Sequence, residues 1–469
     1  MWSAAVVRVG VLVAVCAMLA GLPAVAPADV TRADATIAGS GPDRPTVAPG
    51  TAAGTGAGAA PDRGAALHRG VDAGAGVASG GAAGAPPDGG ARTGPSAPRP
   101  SRPAVVHREI TAPGGSSADV LDVDLTAPGV RVGLLTAGDV SDRASVAAMA
   151  DRAGARAAVN GDFFDLGRSN APAGPQVRDG RTISSAVPAG RRLAPAVDGA
   201  TPDSVLAFGA DGRARVDRVR FGASVQVGAS TIPVEGINQY AVPPGGVGLV
   251  TPEWGGADRA RMLCGSDTDR NAGCSADRIE VSVRDGAVAA VRPPGAGRLA
   301  PGETALLGRD GGADALRAVR PGDPVTVLPH RALAEGSPPV TAVGGSPIVV
   351  DGARPGPLDD RERAPRTAAG IADGGRRLLL VTVDGHETAH SGATLAGLAG
   401  MLTSLGARDA VNLDGGGSST MVARPPDARR VSVVNAPAQD ATRLVPNALG
   451  VFTPQPRRGP ARRLATRRP

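Results

Sequence analysis

The chain has 469 residues, and its 50 Lys and Arg against 44 Asp and Glu side chains give a formal net charge of +6. All 50 of these cations are arginine, because the sequence contains no lysine, and a P-loop nucleotide site is therefore excluded. With the accompanying Ala, Gly and Pro bias, the arginine excess indicates a compositional preference more than a nucleic-acid surface, so we expect no nucleic-acid partner.

The first 28 residues have the pattern of a secretory signal. Arg8 precedes an apolar run from Val11 to Leu19, and small residues then lead to Ala28. This run is shorter than the ~20 apolar residues that a membrane span needs. We expect a secreted protein, extracellular or associated with the cell wall, without stable membrane insertion once the signal is removed.

A low-complexity segment rich in Ala, Gly and Pro covers residues 29–103. It has too few large apolar side chains to offset the entropy of ordering, so we expect a disordered tether. The folded domain is expected at 104–455, followed by a basic disordered tail at 456–469.

The first predicted elements of the domain lead to a polar strand end. Polar and apolar residues alternate over 119–125, which predicts a half-buried strand, and 145–153 reads as a helix stopped by Gly154. A short apolar run then ends in Asn160-Gly161-Asp162. This arrangement places a carboxamide and a carboxylate at the end of a strand, beside a flexible backbone.

The region 203–330 is rich in valine and glycine, with short strand-like runs such as 278–283 and 324–328. We predict a mostly β insertion or subdomain. Cys264 and Cys274 lie within it, and in an oxidising compartment such a pair most simply closes a loop disulfide.

A hairpin with polar ends follows. The runs 367–372 and 378–383 are joined by Asp-Gly-Gly, a strong hairpin signal. Arg366 precedes the first run, and its guanidinium suits phosphate or carboxylate oxygens. Asp384 follows the second run at a glycine turn, where a turn-forming role is the alternative.

The segment His386-Glu387-Thr388-Ala389-His390 fits the HExxH zinc pattern. That pattern binds zinc only on a helix, where positions i and i+4 share one face. Here it follows a strand and a glycine turn, so we expect a loop, and a zinc hydrolase is the third-ranked function.

The second half of the domain repeats the polar strand end. Residues 394–405 form a predicted helix closed by Gly406, and the strand after it ends in Asn412-Leu413-Asp414. Three glycines and two serines come next, and their backbone and hydroxyl groups can cradle a phosphate. A last strand is expected at 448–452. Helices and strands alternate without a steady βαβ rhythm, so we predict an α+β fold with a mixed sheet.

Taken in order, these segments resemble the phosphodiester glycosidase family, and the chain looks like a bacterial secreted member. The matching segments are 157–165, 342–352, 364–371, 381–387, 392–422 and 443–452.

The resemblance implies cleavage of the bond between a sugar C1 and a phosphodiester oxygen. The catalytic candidates are Asp414, Asp384, Asp162 and Arg366. The substrate-binding candidates are Asn160, Asn412, Gly344, Gly345, Gly415, Gly416, Gly417, Ser418, Ser419, His386 and Asn447. We expect a phosphodiester-linked glycan of the N-acetylglucosamine-1-phosphate type, in cell-wall, capsule or exopolysaccharide material.

Two questions stay open at this stage. A non-catalytic module that binds anionic wall glycans is the alternative function, although it would be expected to have lost the Asp and Arg positions. The acidic cluster is also compatible with a divalent cation such as Ca²⁺, while no motif requires a cofactor.

Overall fold

The computed structural model describes residues 103–328, 333–334, 336–385, 391–437 and 442–454. The predicted signal and basic tail, the tether up to residue 102, and the segment 386–390 that includes His386 lie outside the described residues. Among the described helices, none is both long and apolar enough to span a membrane.

Strands dominate the described part of the chain. In chain order they are β1 (Val105–Thr111), β2 (Ser117–Asp124), β3 (Arg131–Thr136), β4 (Ala157–Asn160), β5 (Gln176–Arg178), β6 (Arg181–Ser184), β7 (Ser204–Phe208), β8 (Ala214–Arg220), β9 (Ala223–Val227), β10 (Ser230–Val234), β11 (Gly236–Ile237), β12 (Val247–Val250) and β13 (Arg278–Arg284). They continue with β14 (Ala287–Arg292), β15 (Glu303–Arg309), β16 (Val325–Leu328), β17 (Leu333–Ala334), β18 (Thr341–Gly344), β19 (Ser346–Val349), β20 (Arg366–Ala372), β21 (Arg377–Val383), β22 (Asp409–Asn412), β23 (Met421–Ala423), β24 (Ser432–Val433) and β25 (Asn447–Phe452).

The helices within the described residues are few and short. The α-helices are α1 (Val146–Ala153), α2 (Gly311–Arg317) and α3 (Leu395–Ser404). Single 3-10 turns occur at Ala189–Arg191, Pro252–Trp254, Arg259–Leu263, Asp373–Gly375 and Gly416–Ser418. The presence of both helices and strands agrees with the predicted α+β class at that level.

Two sheets position the candidate site. The first sheet has the strand order β1-β2-β21-β20-β22-β19, and the second has the order β24-β23-β4-β25-β3. Every ladder of these two sheets is antiparallel. The two polar strand ends of the sequence therefore belong to different sheets, with β4 central in the second sheet and β22 near an edge of the first.

Apolar side chains from both sheets form a shared core, to which Leu121, Leu380 and Leu449 contribute. Helix α3 covers the other face of the first sheet, with Leu398 and Leu402 in the contact. Helix α1 covers the other face of the second sheet. Burying one face of each sheet against the other, and the second face under a helix, gives a layered α+β architecture.

The predicted helix ends are confirmed by their capping. The Ser145 side chain accepts a hydrogen bond from the Ala148 amide at the start of α1, and Gly154 ends the helix with a left-handed φ of 73°. Thr394 caps α3 in the same way, by accepting from the Gly397 amide.

The β-rich region after residue 203 divides into parts. Strands β7 and β8 join a six-stranded sheet, β17-β8-β7-β18-β5-β6, which reaches the site through β18. Strands β9 to β16 build two further sheets, β10-β9-β16 and β11-β12-β15-β13-β14, with a core of their own. The short β11–β12 pairing in the latter is parallel.

Candidate active site

The two Asn-x-Asp strand ends meet. The Asp414 amide donates to the Gly161 carbonyl at 2.9 Å, and the Asn160 side-chain amide donates to the Asp414 carbonyl at 2.7 Å. Strand ends from two different sheets are thus held side by side by their own turn residues. This juxtaposition places two carboxylates, Asp162 and Asp414, in one region of the molecule.

Asn160 links several chain segments through hydrogen bonds of its side chain. Its side-chain oxygen accepts from the Thr367 hydroxyl at 2.8 Å and from the Thr420 amide at 3.1 Å, and the residue has no exposed surface. Together with the bond to Asp414, these contacts tie β4 to β20 and to the segment before β23. Asn160 therefore positions the segment that carries Asp414, and its role in substrate binding stays a prediction.

Asp414 is the titrating carboxyl group of the site. Burial raises its pKa from an ordinary 3.8 to about 7, and the nearby charge of Asp162 acts in the same direction. The Ser418 hydroxyl, the Arg443 guanidinium and the Gly415 amide oppose this rise, the last as a donor at 3.0 Å. At neutral pH this carboxyl group can both take up and release a proton.

Asp162 is buried behind the site with its carboxylate fully engaged. One oxygen accepts from the Gly174 amide at 2.5 Å, and the other lies 3.2 Å from Nη2 of Arg192. Its own amide donates to the side-chain oxygen of Asn447 at 3.0 Å. Burial raises the pKa of Asp162, although Arg192 and the Gly174 amide favour the charged form.

Two glycines make room for the Asp162 carboxylate. An ideal Cβ on Gly344 would overlap an Asp162 carboxylate oxygen and would lie 2.7 Å from the Gly174 Cα. A Cβ on Gly174 would lie 2.7 Å from that same oxygen. The neighbouring Gly345 packs against Val411 instead. Gly344 thus serves the site by admitting a carboxylate, and neither it nor Gly345 lines the cleft described next.

An open cleft of about 400 Å³ exposes one side of the site. It is lined by Phe163, Arg192, Leu193, Ala194, Pro195, Arg270, Glu362, Ala364, Arg366, Asp414, Gly415 and Gly416. Three arginines, the Glu362 carboxylate and the Asp414 carboxyl group therefore share one open space. Such a space suits an anionic substrate with a group that exchanges protons.

Arg366 enters the cleft as a largely buried cation. Its Nε donates to the Ala393 carbonyl at 3.0 Å and its Nη2 donates to the Glu362 carbonyl at 3.1 Å, with 5% of the residue exposed. Burial lowers the pKa of this guanidinium, while Glu362 favours its charged form. The two carbonyls fix the plane of the guanidinium, as phosphate recognition requires.

The glycine turn after Asp414 approaches other backbone closely. A Cβ on Gly415 would lie 2.7 Å from the Pro365 carbonyl oxygen, and Gly416 has a left-handed φ of 59°. A Cβ on Gly417 would lie 2.5 Å from Nη2 of Arg443. The turn is thus packed between the Arg366 segment and Arg443, and its first two glycines line the cleft.

Several buried polar groups near this turn have no hydrogen-bond partner among the described residues. They are both side-chain polar atoms of Asn412, the hydroxyls of Ser419 and Thr420, and the side-chain nitrogen of Asn447. Buried polar atoms are nearly always satisfied by protein, water or ligand. These groups lie on the segments that flank Asp414, and none of them lines the cleft.

Asp384 lies at the end of β21 and supports the segment after the glycine turn. Its Oδ1 accepts from the Asn435 side chain and from the Ala436 amide, each at 3.1 Å. Asn435 in turn donates to the Ser419 carbonyl at 3.2 Å and accepts from the Met421 amide at 2.7 Å. Asp384 is therefore linked to the glycine turn through Asn435.

The sequence did not single out three of the arginines at the site. Arg192 and Arg270 line the cleft, and Arg443 packs against the glycine turn. Among 50 arginines, no local pattern distinguishes them. Among the aromatic side chains, Phe163 lines the cleft, whereas Tyr240 and Trp254 are core residues with 1% exposure each.

Cys264 and Cys274 form a disulfide. Among the residues that the structure describes, no group of three or more His, Cys, Asp and Glu side chains is arranged to hold a metal ion. The HExxH segment and its His386 lie outside that part of the chain.

Solved structures with a similar fold come from two bacteria. A hypothetical protein from Synechocystis has 20% identity and a TM-score of 0.58, and the match covers 75% of this chain and 62% of that protein. A Burkholderia pseudomallei K96243 protein assigned as exported has 23% identity and a TM-score of 0.55, over 72% and 74% of the two chains. These likenesses show a shared fold. The chain spans less than two thirds of the Synechocystis protein.

A third structure is the zebrafish N-acetylglucosamine-1-phosphodiester alpha-N-acetylglucosaminidase catalytic domain auto-inhibited by pro-peptide. It has 15% identity over 75% of this chain and 82% of that one, with a TM-score of 0.37. Among curated proteins none matches the chain. Residues 277–452 match the phosphodiester glycosidase family, which confirms the resemblance that the sequence motifs indicated.

Proposed function

We propose that this protein is a secreted hydrolase that cleaves the glycosidic C1–O bond of a sugar-1-phosphodiester. The substrate class is of the N-acetylglucosamine-1-phosphate type, in cell-wall, capsule or exopolysaccharide glycans. One observation carries the proposal: Asp414, with a pKa raised to about 7, shares an open cleft with Arg366, Arg192 and Arg270. The family match of residues 277–452 supports the same chemistry.

Arg366 is assigned to the reacting phosphate. Its guanidinium is held by two backbone carbonyls and has a lowered pKa because it is buried. An anionic phosphodiester would supply the negative charge that this environment lacks, and the interaction would be strong because the local dielectric is low. The amides and hydroxyls of the glycine turn would add donors to the phosphate oxygens.

Asp414 is assigned to the chemical step as the base that activates water. Water forms a bond to C1 and transfers its proton to Asp414, while the C1–O bond to phosphate breaks and its electron pair stays on the phosphate oxygen. The products are a free sugar and a phosphate monoester. Since a phosphate monoester has a second pKa near 6, its departure needs less protonation than departure of an alcohol. A single base with a phosphate clamp is therefore sufficient, unlike the paired carboxylates of most glycosidases.

The other predicted residues receive supporting roles. Asp162 holds Arg192 at the cleft, and Asp384 holds the segment after the glycine turn through Asn435. Asn412 and Asn447 are assigned to sugar hydroxyls, directly or through ordered water, because their buried side-chain nitrogens lack partners among the described residues. The candidate divalent cation has no assigned step.

The test is release of free sugar from an α-N-acetylglucosamine-1-phosphodiester by the full-length protein. Asp414→Asn should lower kcat on the order of 10²–10⁴-fold. The matched control is Asp427→Asn, because Asp427 is exposed with a φ of 64° that asparagine also tolerates. Near-normal turnover by folded Asp414→Asn protein would contradict the assignment.

Two further arms separate the remaining alternatives. Activity that is lost with a chelator and restored by Ca²⁺ would establish a cation requirement, and zinc bound in a fixed ratio would instead point to the HExxH segment. No turnover on a panel of sugar-1-phosphodiesters, combined with tight binding of anionic wall glycans, would favour the non-catalytic module.

A further inference from the structure

The disulfide closes a compact loop, Cys264–Cys274, that has its own hydrogen-bond network. Asp269 is its centre: its carbonyl accepts from the Ser266 amide at 2.8 Å and from the Ala272 amide at 3.2 Å, and its carboxylate accepts from the Asn271 amide at 2.8 Å. Residue 270 is thereby held between fixed neighbours. Although the loop is on the surface, its backbone is held by these hydrogen bonds and by the disulfide.

The same loop packs against the segment that carries a cleft arginine. A Cβ on Gly190 would overlap the Asp267 carbonyl, so the backbones are in direct contact there. A Cβ on Gly265 would lie 2.6 Å from Nη2 of Arg191, which is fully buried. Because Arg192 follows directly, the loop and the Arg192 segment form one wall.

Arg270 reaches the cleft from this loop. It lines the same space as Asp414 and Arg366, but it is exposed, whereas 5% of Arg366 and 9% of the Arg192 side chain are accessible. The next residue, Asn271, accepts from Nη2 of Arg168 at 2.9 Å, which secures the loop from its outer side. Arg270 is thus a rim cation above two largely buried ones.

The charged side chains of the cleft differ in how many protein partners they have. Arg192 is paired with Asp162, Arg366 donates to the Ala393 and Glu362 carbonyls, and the exposed Glu362 adds one carboxylate to the lining. For Arg270, no ion pair occurs within the described ranges of the chain. A substrate with a single phosphodiester charge, seated on Arg366, would leave the rim cation without an anionic partner.

We propose that Arg270 is a specificity-determining residue that binds a second anionic group of the substrate, outside the reacting diester. The inference rests on the proposed function and narrows its substrate class to glycans with more than one phosphate. Repeating phosphodiester polymers and sugars that carry an additional phosphate monoester both meet this requirement. The disulfide-closed loop is the element that presents the recognising side chain.

Three matched probes test this. The first is α-N-acetylglucosamine-1-phosphoglycerol. The second carries an additional phosphate on the glycerol, and the third carries it on the sugar O6. KM and kcat are measured for the full-length wild-type protein, for Arg270→Gln and for Arg278→Gln. Arg278 is exposed on β13 and does not line the cleft, so it controls for the loss of one surface charge.

We expect Arg270→Gln to raise KM for at least one doubly phosphorylated probe by about two- to fivefold, as for an exposed ion pair. KM for the singly charged probe should rise less than KM for that doubly phosphorylated probe, because only the second phosphate is matched to Arg270, and this difference should shrink as salt is added. Arg278→Gln should change neither. Equal effects on all three probes, or none, would overturn the inference.

Binding of the same probes, measured by calorimetry, keeps this inference separate from the proposed function. If the wild-type protein turns over no probe, the proposed function fails. Weaker binding of a doubly charged probe to Arg270→Gln would still support the inference in that case. Identical affinities for the two proteins would overturn it.

Discussion

The carboxylate of Asp162 binds the guanidinium of Arg192, with Oδ1 and Nη2 3.2 Å apart and no accessible surface on the Asp162 side chain. Arg192 lines the cleft, whereas Asp162 does not. The Asp162 carboxylate is therefore connected to the cleft only through this arginine. This pair links the first polar strand end to the cleft through a second side chain.

Replacing Asp162 with asparagine tests this positioning role. The variant removes the charge that holds Arg192, so KM for a sugar-1-phosphodiester should rise about tenfold, the size expected for a hydrogen bond between charged groups. The fall in kcat should be the smaller effect. Steady-state kinetics on one substrate separate the two parameters.

Asp122→Asn is the matched control for this change. Asp122 forms a similar pair with Arg377, 2.7 Å between Oδ2 and Nη2, and it lies outside the cleft lining. The Asp122→Asn variant should have a lower free energy of unfolding than the wild-type protein and the same KM. If Asp162→Asn abolishes turnover at saturating substrate, Asp162 takes part in the chemical step instead.

The raised pKa of Asp414 predicts the pH dependence of the reaction. Since the base must be ionised, kcat/KM should increase with pH and level off above an apparent pKa of about 7. The substrate phosphodiester does not titrate in this range, so the profile reports the enzyme. A profile that falls between pH 6 and 8 would show that the protonated form of Asp414 is the active one.

The same group contributes to stability with a defined sign. A carboxyl group with a folded-state pKa above its unfolded value stabilises the folded state in its protonated form. The contribution of Asp414 is therefore fully present below about pH 4 and is lost as pH rises to about 7. Asp414→Asn should lack this loss, which urea unfolding of both proteins at several pH values will measure.

Local patterns sufficed to predict much of the fold. The helix that starts after Ser145 and stops at Gly154 and the hairpin around Asp373–Gly375 depend on contacts within a few residues, and both are present. The contact between the two polar strand ends, in contrast, does not depend on local sequence. Asn160 and Asp414 are 254 residues apart, and only tertiary packing brings their hydrogen bond together.

The candidate site shows where sequence reasoning stops. Aspartates beside a glycine at a strand end carry a local signal, so Asp162, which follows Gly161, and Asp414, which precedes Gly415, were found. Arg192 and Arg270 carry none, because their roles come from the wall that they share. The function of Gly344 was also hidden, since it depends on the carboxylate of a residue in another sheet.

Gly344→Ala should displace the Asp162 carboxylate, which packs against Gly344. The added Cβ would overlap the Asp162 carboxylate and would lie 2.7 Å from the Gly174 Cα, which is backbone and cannot swing away. Such overpacking costs about 1–3 kcal/mol of unfolding free energy. Activity should fall as well, because Asp162 and Arg192 move together.

The control for that variant is Gly256→Ala. Nothing lies within 4 Å of an ideal Cβ on Gly256, and its φ is not in the left-handed region. Thermal unfolding and turnover should both match the wild-type protein. Unchanged activity in Gly344→Ala would mean that the Asp162 pocket tolerates a methyl group, contrary to the packing.

Asp384 offers a test between a supporting and a catalytic role. Asparagine keeps a side-chain oxygen that can accept from Asn435 and Ala436, so Asp384→Asn should retain most of its turnover. Asp384→Ala removes that acceptor and should cost about 1–3 kcal/mol of stability. A loss of kcat on the order of 10²–10⁴ in the asparagine variant would show that the carboxylate is catalytic.

The disulfide should matter for recognition as well as for stability. Cys264→Ser with Cys274→Ser removes a crosslink typically worth about 2–4 kcal/mol, which a lower urea midpoint would report. Loosening the loop also releases Arg270 from its place at the rim. The double variant should therefore lose the preference for doubly phosphorylated probes while it still hydrolyses the singly charged one. Asp269→Ala, which weakens the loop network and leaves the disulfide intact, should shift the same preference in the same direction. If the serine variant is destabilised but keeps the full preference, the loop is not the element that positions Arg270.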